Sequence, residues 1–352
     1  MKNVDLSFIF LIIGAVIGAG FSSGKEIAVF FSGQGIISFL NIFLVIIFLY
    51  FSLYNMFSIG QKLQNKSISQ NLFPKHNKLF EVLFLIGLFV FITAMVAGLN
   101  STGKLIFKNI NFPVLTIISI MFILLIVNNG YESIKKVNAF LMPVVIIFLI
   151  FVCLHTIFNS SGNIPSQNAT NSSSYVKYLI FAFFYMSYNL TFSNTLIINR
   201  GKDFSKKERV IYSIIISLIL IILICLINFS ILKTFNFSLK SDLPMLILAF
   251  NINSIIGYLF GFILWFSILT SLVSSLYILL ETINKNKFLM SIIILTLAYI
   301  ISLCGFNNIV NYFYPLQGAL GLVFMIKVFM FNVKNKENCV KKHKLKNLCS
   351  NY

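Results

Sequence analysis

Long apolar stretches, parted by short polar or basic breaks, run the length of the chain: residues 6–32, 36–60, 80–103, 112–128, 137–158, 175–198, 210–233, 254–281, 288–304 and 308–331. Each reaches the about 17–25 residues a helix needs to cross a ~30 Å hydrocarbon core, and the longer ones have room to tilt or break. The period-2 alternation of a barrel is absent, and lipid cannot satisfy an open sheet edge. The pattern therefore predicts an all-α integral membrane protein with ten transmembrane helices. A shorter apolar run, 243–251, follows the helix-start signal Asp242-Leu-Pro244 and predicts a re-entrant or surface helix between spans seven and eight.

Composition agrees. Of 352 residues, 58% are hydrophobic and 10% charged, against about 25% charged in soluble proteins. That excludes a soluble enzyme, a secreted disulfide scaffold and a disordered protein. The net charge of +18 would suggest nucleic acid in a soluble domain; in a membrane protein it reflects basic cytoplasmic loops. With the N-terminus inside, the inner segments hold twenty basic residues, from Lys2 and the Lys62–Lys78 group to the tail lysines. The outer segments hold five: Lys104, Lys108, Lys177, Lys233 and Lys240. This asymmetry predicts cytoplasmic N- and C-termini. The first apolar run is too long for the core of a cleavable signal peptide. Abundant Phe, Ile, Asn and Lys, with scarce Ala and Trp, read as the bias of a bacterial genome, so a bacterial inner membrane is the expected setting.

Short loops leave no room for a second domain. Residues 1–333 are expected to form one transmembrane domain, and 334–352 a basic tail whose Lys341–Lys346 cluster meets anionic headgroups rather than nucleic acid. The longest outer loop, 159–174, is rich in Asn and Ser and divides the spans five and five. An odd number per half puts the halves in opposite orientation, the arithmetic of an inverted repeat (6–158 and 175–331). The halves share no convincing residue-level similarity.

Span one carries the sharpest chemical signal: Gly14-Ala-Val-Ile17-Gly18-Ala-Gly20-Phe-Ser22-Ser23-Gly24-Lys25-Glu26. Packing glycines recur every three or four residues. Here Gly18 and Gly20 are two apart, followed by two serines and a Lys-Glu pair near mid-membrane, where a charge costs at least about 2.5–3.5 kcal/mol. A broken helix is expected, with Gly18, Gly20, Ser22 and Ser23 exposed to solute. Ser23-Gly-Lys-Glu26 fits a capping box that would restart the helix. Lys25 either pairs with Glu26 or reaches the outer vestibule, so both are expected to gate or cap. In span six, Tyr188, Asn189 and Thr191 are polar enough either to bond a neighbouring helix or to unwind, with Asn189 or Thr191 capping a second half-helix. In span eight, Ser267, Thr270, Ser271, Ser274 and Ser275 share a helical face; such a stripe packs, or offers neutral oxygens to a hard monovalent cation. The five cysteines lack a CxxC pair, and His76, His155 and His343 lack ligand spacing. No nucleophile–base set is present, so no enzyme and no organic cofactor are expected.

The run from Gly14 to Glu26, with Phe30-Phe-Ser-Gly33-Gln-Gly after it, resembles the bacterial YkvI-like membrane proteins of the amino acid–polyamine–organocation superfamily. That resemblance implies the LeuT-type fold, with helices one and six broken around a central site. It also implies a sodium site: carbonyls of Gly14 and Ile17, hydroxyls of Thr270 and Ser271, and the Ser267 carbonyl. Span five lacks the lysine that fills this position in some sodium-independent relatives. Span six lacks the glycine many relatives use to unwind. The expected function is sodium-coupled symport of a small polar solute, such as an amino acid. The alternatives are a proton-coupled transporter of the same fold, or a non-transporting solute sensor resembling a germinant-receptor subunit.

Overall fold

The computed structural model describes residues 5–63, 68–107, 114–128, 131–160, 162, 172–234, 241–283 and 286–349. The expectations resting on Lys2, Lys66, Lys108, Lys240 and Lys285, on most of the 159–174 loop, and on the side chains beyond Lys334 lie outside the described residues. All regular structure in the described residues is helical.

Span one is three pieces: α1 (Leu6–Val16), α2 (Ala19–Ser22) and α3 (Lys25–Phe30), closed by a 3-10 turn at Ser32–Gln34. Then come α4 (Ile37–Lys62), the short α5 (Ile68–Leu72), α6 (Asn77–Ile106), α7 (Val114–Asn128) and α8 (Tyr131–Asn159). Span six divides at Ser193 into α9 (Ser172–Phe192) and α10 (Asn194–Gly201). After α11 (Lys206–Lys233), the expected short helix is α12 (Pro244–Ile252), followed by α13 (Ser254–Ile283) and α14 (Lys287–Ser302). The last span is α15 (Phe306–Asn308), a π-helical segment Ile309–Phe313, and α16 (Tyr314–Cys349). Each expected apolar stretch is thus helical. Six helices among the described residues are long and apolar enough to cross a membrane unaided: α4, α6, α8 (from Lys135), α11, α13 and the final one.

Large apolar side chains point outward along the peripheral helices. On α4, Leu40, Phe43, Ile47 and Phe51 are exposed while Ile42, Val45, Leu49 and Leu53 are buried. The same spacing recurs on α8, with Phe140, Val144, Ile147 and Phe151 outside. Two apolar faces on one helix, at the i, i+3/i+4 period, mean protein on one side and lipid on the other. α6 and α13 are the most buried of the long spans.

Several of the main helix contacts map onto one another when span one is exchanged with six, two with seven, three with eight, four with nine and five with ten. α1 packs on α8 as α9 packs on α16; α4 meets α11, and α6 meets α13. α4 touches α16 as α11 touches α8, and α14 touches α6 as α7 touches α13. This is the neighbour pattern of two five-helix halves related by an inverted repeat.

The capping chemistry differs from expectation at one place. Gly24 adopts a left-handed conformation (φ 79°) and is the N-cap of α3, with no side-chain cap. The Ser23–Glu26 capping box is therefore not formed. A true capping box stands instead at the start of α11, where Ser205 and Glu208 satisfy each other's amides.

Candidate solute and ion site

The first interruption of span one follows from its glycines. Gly18 is extended (φ −93°, ψ −164°), and its N–H donates to the Val16 carbonyl at 2.9 Å, releasing the Gly14 carbonyl from the helical ladder. The Ala19 N–H donates to the Met95 thioether of α6 at 3.2 Å. The freed oxygens meet span eight. Ser271 Oγ lies 2.8 Å from the Gly14 carbonyl, 2.8 Å from the Ile17 carbonyl and 3.2 Å from the Ser267 carbonyl. Ser267 Oγ lies 3.1 Å from the Ile17 carbonyl and 3.1 Å from Ser22 Oγ, and Ser22 in turn donates to the Gly18 carbonyl at 2.6 Å. One hydroxyl hydrogen cannot serve three acceptors, so the spot has more oxygen lone pairs than donors. Every side chain in it is neutral and buried.

Four of the five residues expected around a cation, Gly14, Ile17, Ser267 and Ser271, are brought together. Thr270 donates to the Ser267 carbonyl at 2.8 Å, so it joins the group through that oxygen and the structure gives it no bond to span one. Ser274 and Ser275 only back-bond to the Thr270 and Ser271 carbonyls, which is the packing role of a hydroxyl stripe. Asn138 of α8 lies against Gly14, where a Cβ would collide with its amide; the sequence did not single it out.

At the second interruption, Ser23 Oγ accepts from the Lys25 N–H at 3.3 Å, and the Ser23 carbonyl accepts from the Met245 N–H at 2.8 Å. The short α12 thus sits over the break. Lys25 follows it: Nζ donates to the Ser241 carbonyl at 3.0 Å, just ahead of α12. The alternative of a Lys25–Glu26 pair is not realised. Glu26 turns the other way, into the bundle, with its carboxyl packed on the Cα of Gly20.

In span six, Tyr188 reaches the Glu26 carboxyl, together with Tyr185 one turn earlier. The capping expected of Asn189 or Thr191 does not occur. Asn189 Nδ2 donates to the Tyr185 carbonyl at 3.0 Å and Thr191 Oγ1 to the Ser187 carbonyl at 2.7 Å, both within their own helix. The helix is interrupted instead at Ser193, whose hydroxyl donates to the Asn189 carbonyl at 3.0 Å. Thr191 lines a separate, largely apolar cavity of about 250 Å³ with Phe80, Phe84 and Phe192. Sequence reasoning also missed Tyr314, the residue after the π-helical segment, which stands 4.9 Å from Tyr188 ring to ring. Its signal was indirect: Glu26 is a lone acid deep in an apolar span, and such groups gather polar partners.

A broken span one seated on span eight, a divided span six, and two five-helix halves define a multi-pass membrane protein of the LeuT-type transporter fold. No family model matches the chain. It is 24% identical over 325 residues to the membrane protein YkvI of Bacillus subtilis (strain 168), covering 90% of this chain and 92% of YkvI. Among solved structures it is similar to MhsT in complex with L-phenylalanine, with a TM-score of 0.65 and 14% identity over 94% of this chain and 97% of MhsT. It is also similar to the Eremococcus coleocola manganese transporter bound to an aromatic bis-isothiourea substituted compound (TM-score 0.62, 18% identity, 92% and 79% covered). A third is Mhp1, a nucleobase-cation-symport-1 family transporter with bromovinylhydantoin bound (TM-score 0.61, 12% identity, 89% and 74% covered). At these identities the likeness to solved structures is one of fold.

Proposed function

We propose that the protein is a secondary active transporter of a small polar solute, an amino acid or related compound, which it moves by sodium symport and alternating access across a bacterial inner membrane, with both termini cytoplasmic. The observation that carries this reading is the oxygen cluster at the first break. Carbonyls of Gly14 and Ile17 and the Ser267 carbonyl crowd one Ser271 hydroxyl, 2.8–3.2 Å away, with no charged side chain among them. A hard monovalent cation takes a cage of neutral oxygens, and membrane-buried backbone supplies them where a helix is interrupted. Gly14, Ile17, Ser267, Thr270 and Ser271 would hold the ion. Its positive charge would join spans one and eight, so that its arrival and loss change how firmly the two halves of the bundle hold together. The solute occupies the neighbouring region between Gly18–Ser23 and Tyr188.

Uptake into proteoliposomes under an imposed sodium gradient tests the reading. Ser271→Ala removes the hydroxyl that touches span one without altering charge. It should weaken sodium-dependent uptake at least about tenfold, a loss of about 1.4 kcal/mol, and higher sodium should partly restore it. Thr270→Val should have a smaller effect in the same direction. Uptake driven equally by a proton gradient with sodium absent would replace sodium by protons. Solute binding without accumulation under any gradient would favour a sensor.

A further inference from the structure

Among the described residues, Glu26 is the one carboxylate sunk in the middle of the bundle. It is 1% exposed, makes no ion pair there, and its Oε2 completes no hydrogen bond. Three phenols gather round it. Tyr185 and Tyr188 approach from α9, and Tyr314 from the end of the π-helical segment. All three hydroxyls are buried. Those of Tyr185 and Tyr188 face the Glu26 carboxyl but lie too far or too oblique to close a well-formed hydrogen bond, and that of Tyr314 has no partner among the described residues. Their rings form a wall: Tyr185 and Tyr188 are 5.7 Å apart, Tyr188 and Tyr314 4.9 Å, and Phe30 stands 5.4 Å from Tyr185 and 6.0 Å from Tyr188.

Packing alone does not account for this. Phenylalanine fills the same space without a buried hydroxyl, and an unmet polar group in the interior is a standing penalty. The carboxylate only accepts and the three phenol hydrogens are the donors near it, which leaves lone pairs unused on the phenol oxygens. A carboxylate beside aromatic faces is a setting for a cation. The backbone argues in the same direction. A solute carboxylate would need free N–H groups at the break, but most are taken. Gly18, Ser22, Ser23 and Gly24 donate to carbonyls, Ala19 to Met95 Sδ, and Lys25 to Ser23 Oγ. Lys25, the nearest positive side chain in sequence, points outward to Ser241.

We infer that Glu26, Tyr185, Tyr188 and Tyr314 form a binding site for the ammonium group of a small organic amine, and that the solute is recognised by this positive end. An ammonium brings three N–H donors, enough for the Glu26 carboxylate and two phenol oxygens, while the phenol hydrogens remain free to donate to Glu26. That the bound amine is also the transported solute rests on the transport reading; the binding itself does not.

The test is thermal stability of the purified full chain in detergent at fixed sodium and pH. The probes are n-butylammonium and 2-phenylethylammonium chloride, against potassium butyrate and 3-phenylpropionate. The ammonium salts should raise the Tm and the carboxylates should not. Glu26→Gln keeps the shape and removes the charge, and should weaken ammonium binding by about 100-fold. Should that variant fail to fold, Tyr188→Phe and Tyr314→Phe carry the test. Each deletes an unmet hydroxyl, so the apo protein should melt at a higher temperature while its ammonium affinity falls about tenfold. A packing role would not produce that split. Stabilisation by the carboxylates instead, unchanged ammonium affinity in both phenylalanine variants, or a Tm that responds to pH but to no ammonium salt would overturn the inference. Ammonium binding without uptake in proteoliposomes would overturn transport and leave this site standing. Sodium-driven uptake of carboxylates alone would do the reverse.

Discussion

At Gly20 the volume a side chain would occupy is already filled by the Glu26 carboxyl. The glycine is there for space, and its φ is not left-handed. Gly20→Leu should therefore expel the carboxyl from among its tyrosines and abolish solute binding. The helical turn itself survives, so the protein should still insert and purify. Tm shifts with solute, read beside the yield of membrane-inserted protein, check this; a variant that inserts and binds as before would show the contact is dispensable. Gly14, Ile17, Ser267 and Ser271 were legible in the sequence, because glycine pairs and hydroxyl spacing leave a mark on the chain and the resemblance tied them together. Ser23-Gly-Lys-Glu26 misled for a local reason. The pattern is met letter by letter, but Gly24 takes the left-handed conformation that only glycine adopts freely, and the helix starts one residue late. Tyr185 and Tyr314 were hidden among fourteen tyrosines and forty phenylalanines, where no spacing separates a functional ring from a packing one.

Among the elements, span one is legible as broken, since Gly18 and Gly20 two residues apart do not suit a packing face. Span six is not. Ser193 interrupts it without a glycine, and its hydroxyl returns to its own helix, so composition gives no cue to the position. α1 is fastened at its start as well as its end. Asp5 caps it by accepting from the Phe8 N–H at 3.2 Å and pairs with Lys135 of α8 at 2.7 Å. Span seven adds a third tie, where the Asp5 N–H donates to the Tyr212 hydroxyl at 2.9 Å. Burial pushes the Asp5 carboxyl up, but the Lys135 hydrogen bond and charge and the Phe8 N–H outweigh it, holding it below its ordinary value. A lowered carboxylate stabilises the clasp above the unfolded pKa of 3.8, and that contribution is lost as pH falls through the folded value. Asp5→Asn should loosen the N-terminal end of α1 at neutral pH, much as acid loosens it in the wild type. Phe8 is buried between Phe57, Phe204 and Tyr212. A Phe8→Cys thiol should react faster with a thiol reagent when Asp5→Asn is also present. Equal labelling rates with and without Asp5→Asn would show that the clasp does not hold this end.

For the whole molecule, the five-plus-five division could be read from span counting, and the exchange-symmetric packing is its structural counterpart. Residue-level similarity between halves could not, because a lipid-facing or buried apolar position accepts Leu, Ile or Phe nearly alike, and the match erodes while the packing persists. The two ends of the bundle differ. At the end bearing α5 a polar cavity of about 420 Å³ is lined by Ser69, Glu81, Asn194, Asn199 and Lys202. At the other, α12 covers the break in span one through Ser23 and Lys25. The proposed orientation rests on how positive charge is divided between these ends. Arg200, Lys202, Lys206, Lys207 and Arg209 cluster at the first, whereas the second keeps few, and of these Lys233 is turned back to the carbonyls that end α8, at 2.9 and 3.3 Å from Ile157 and Ser160. In the orientation proposed above, which keeps basic loops in the cytoplasm, α5, the polar cavity and both termini would lie inside and α12 outside. Ser166→Cys, in a variant whose native cysteines other than Cys349 are replaced, should be modified by a membrane-impermeant maleimide in intact cells. Cys349 alone should be modified only after the membrane is permeabilised. The reverse labelling pattern would invert the protein, place the polar cavity outside, and turn α12 from an outer cover into an inner one.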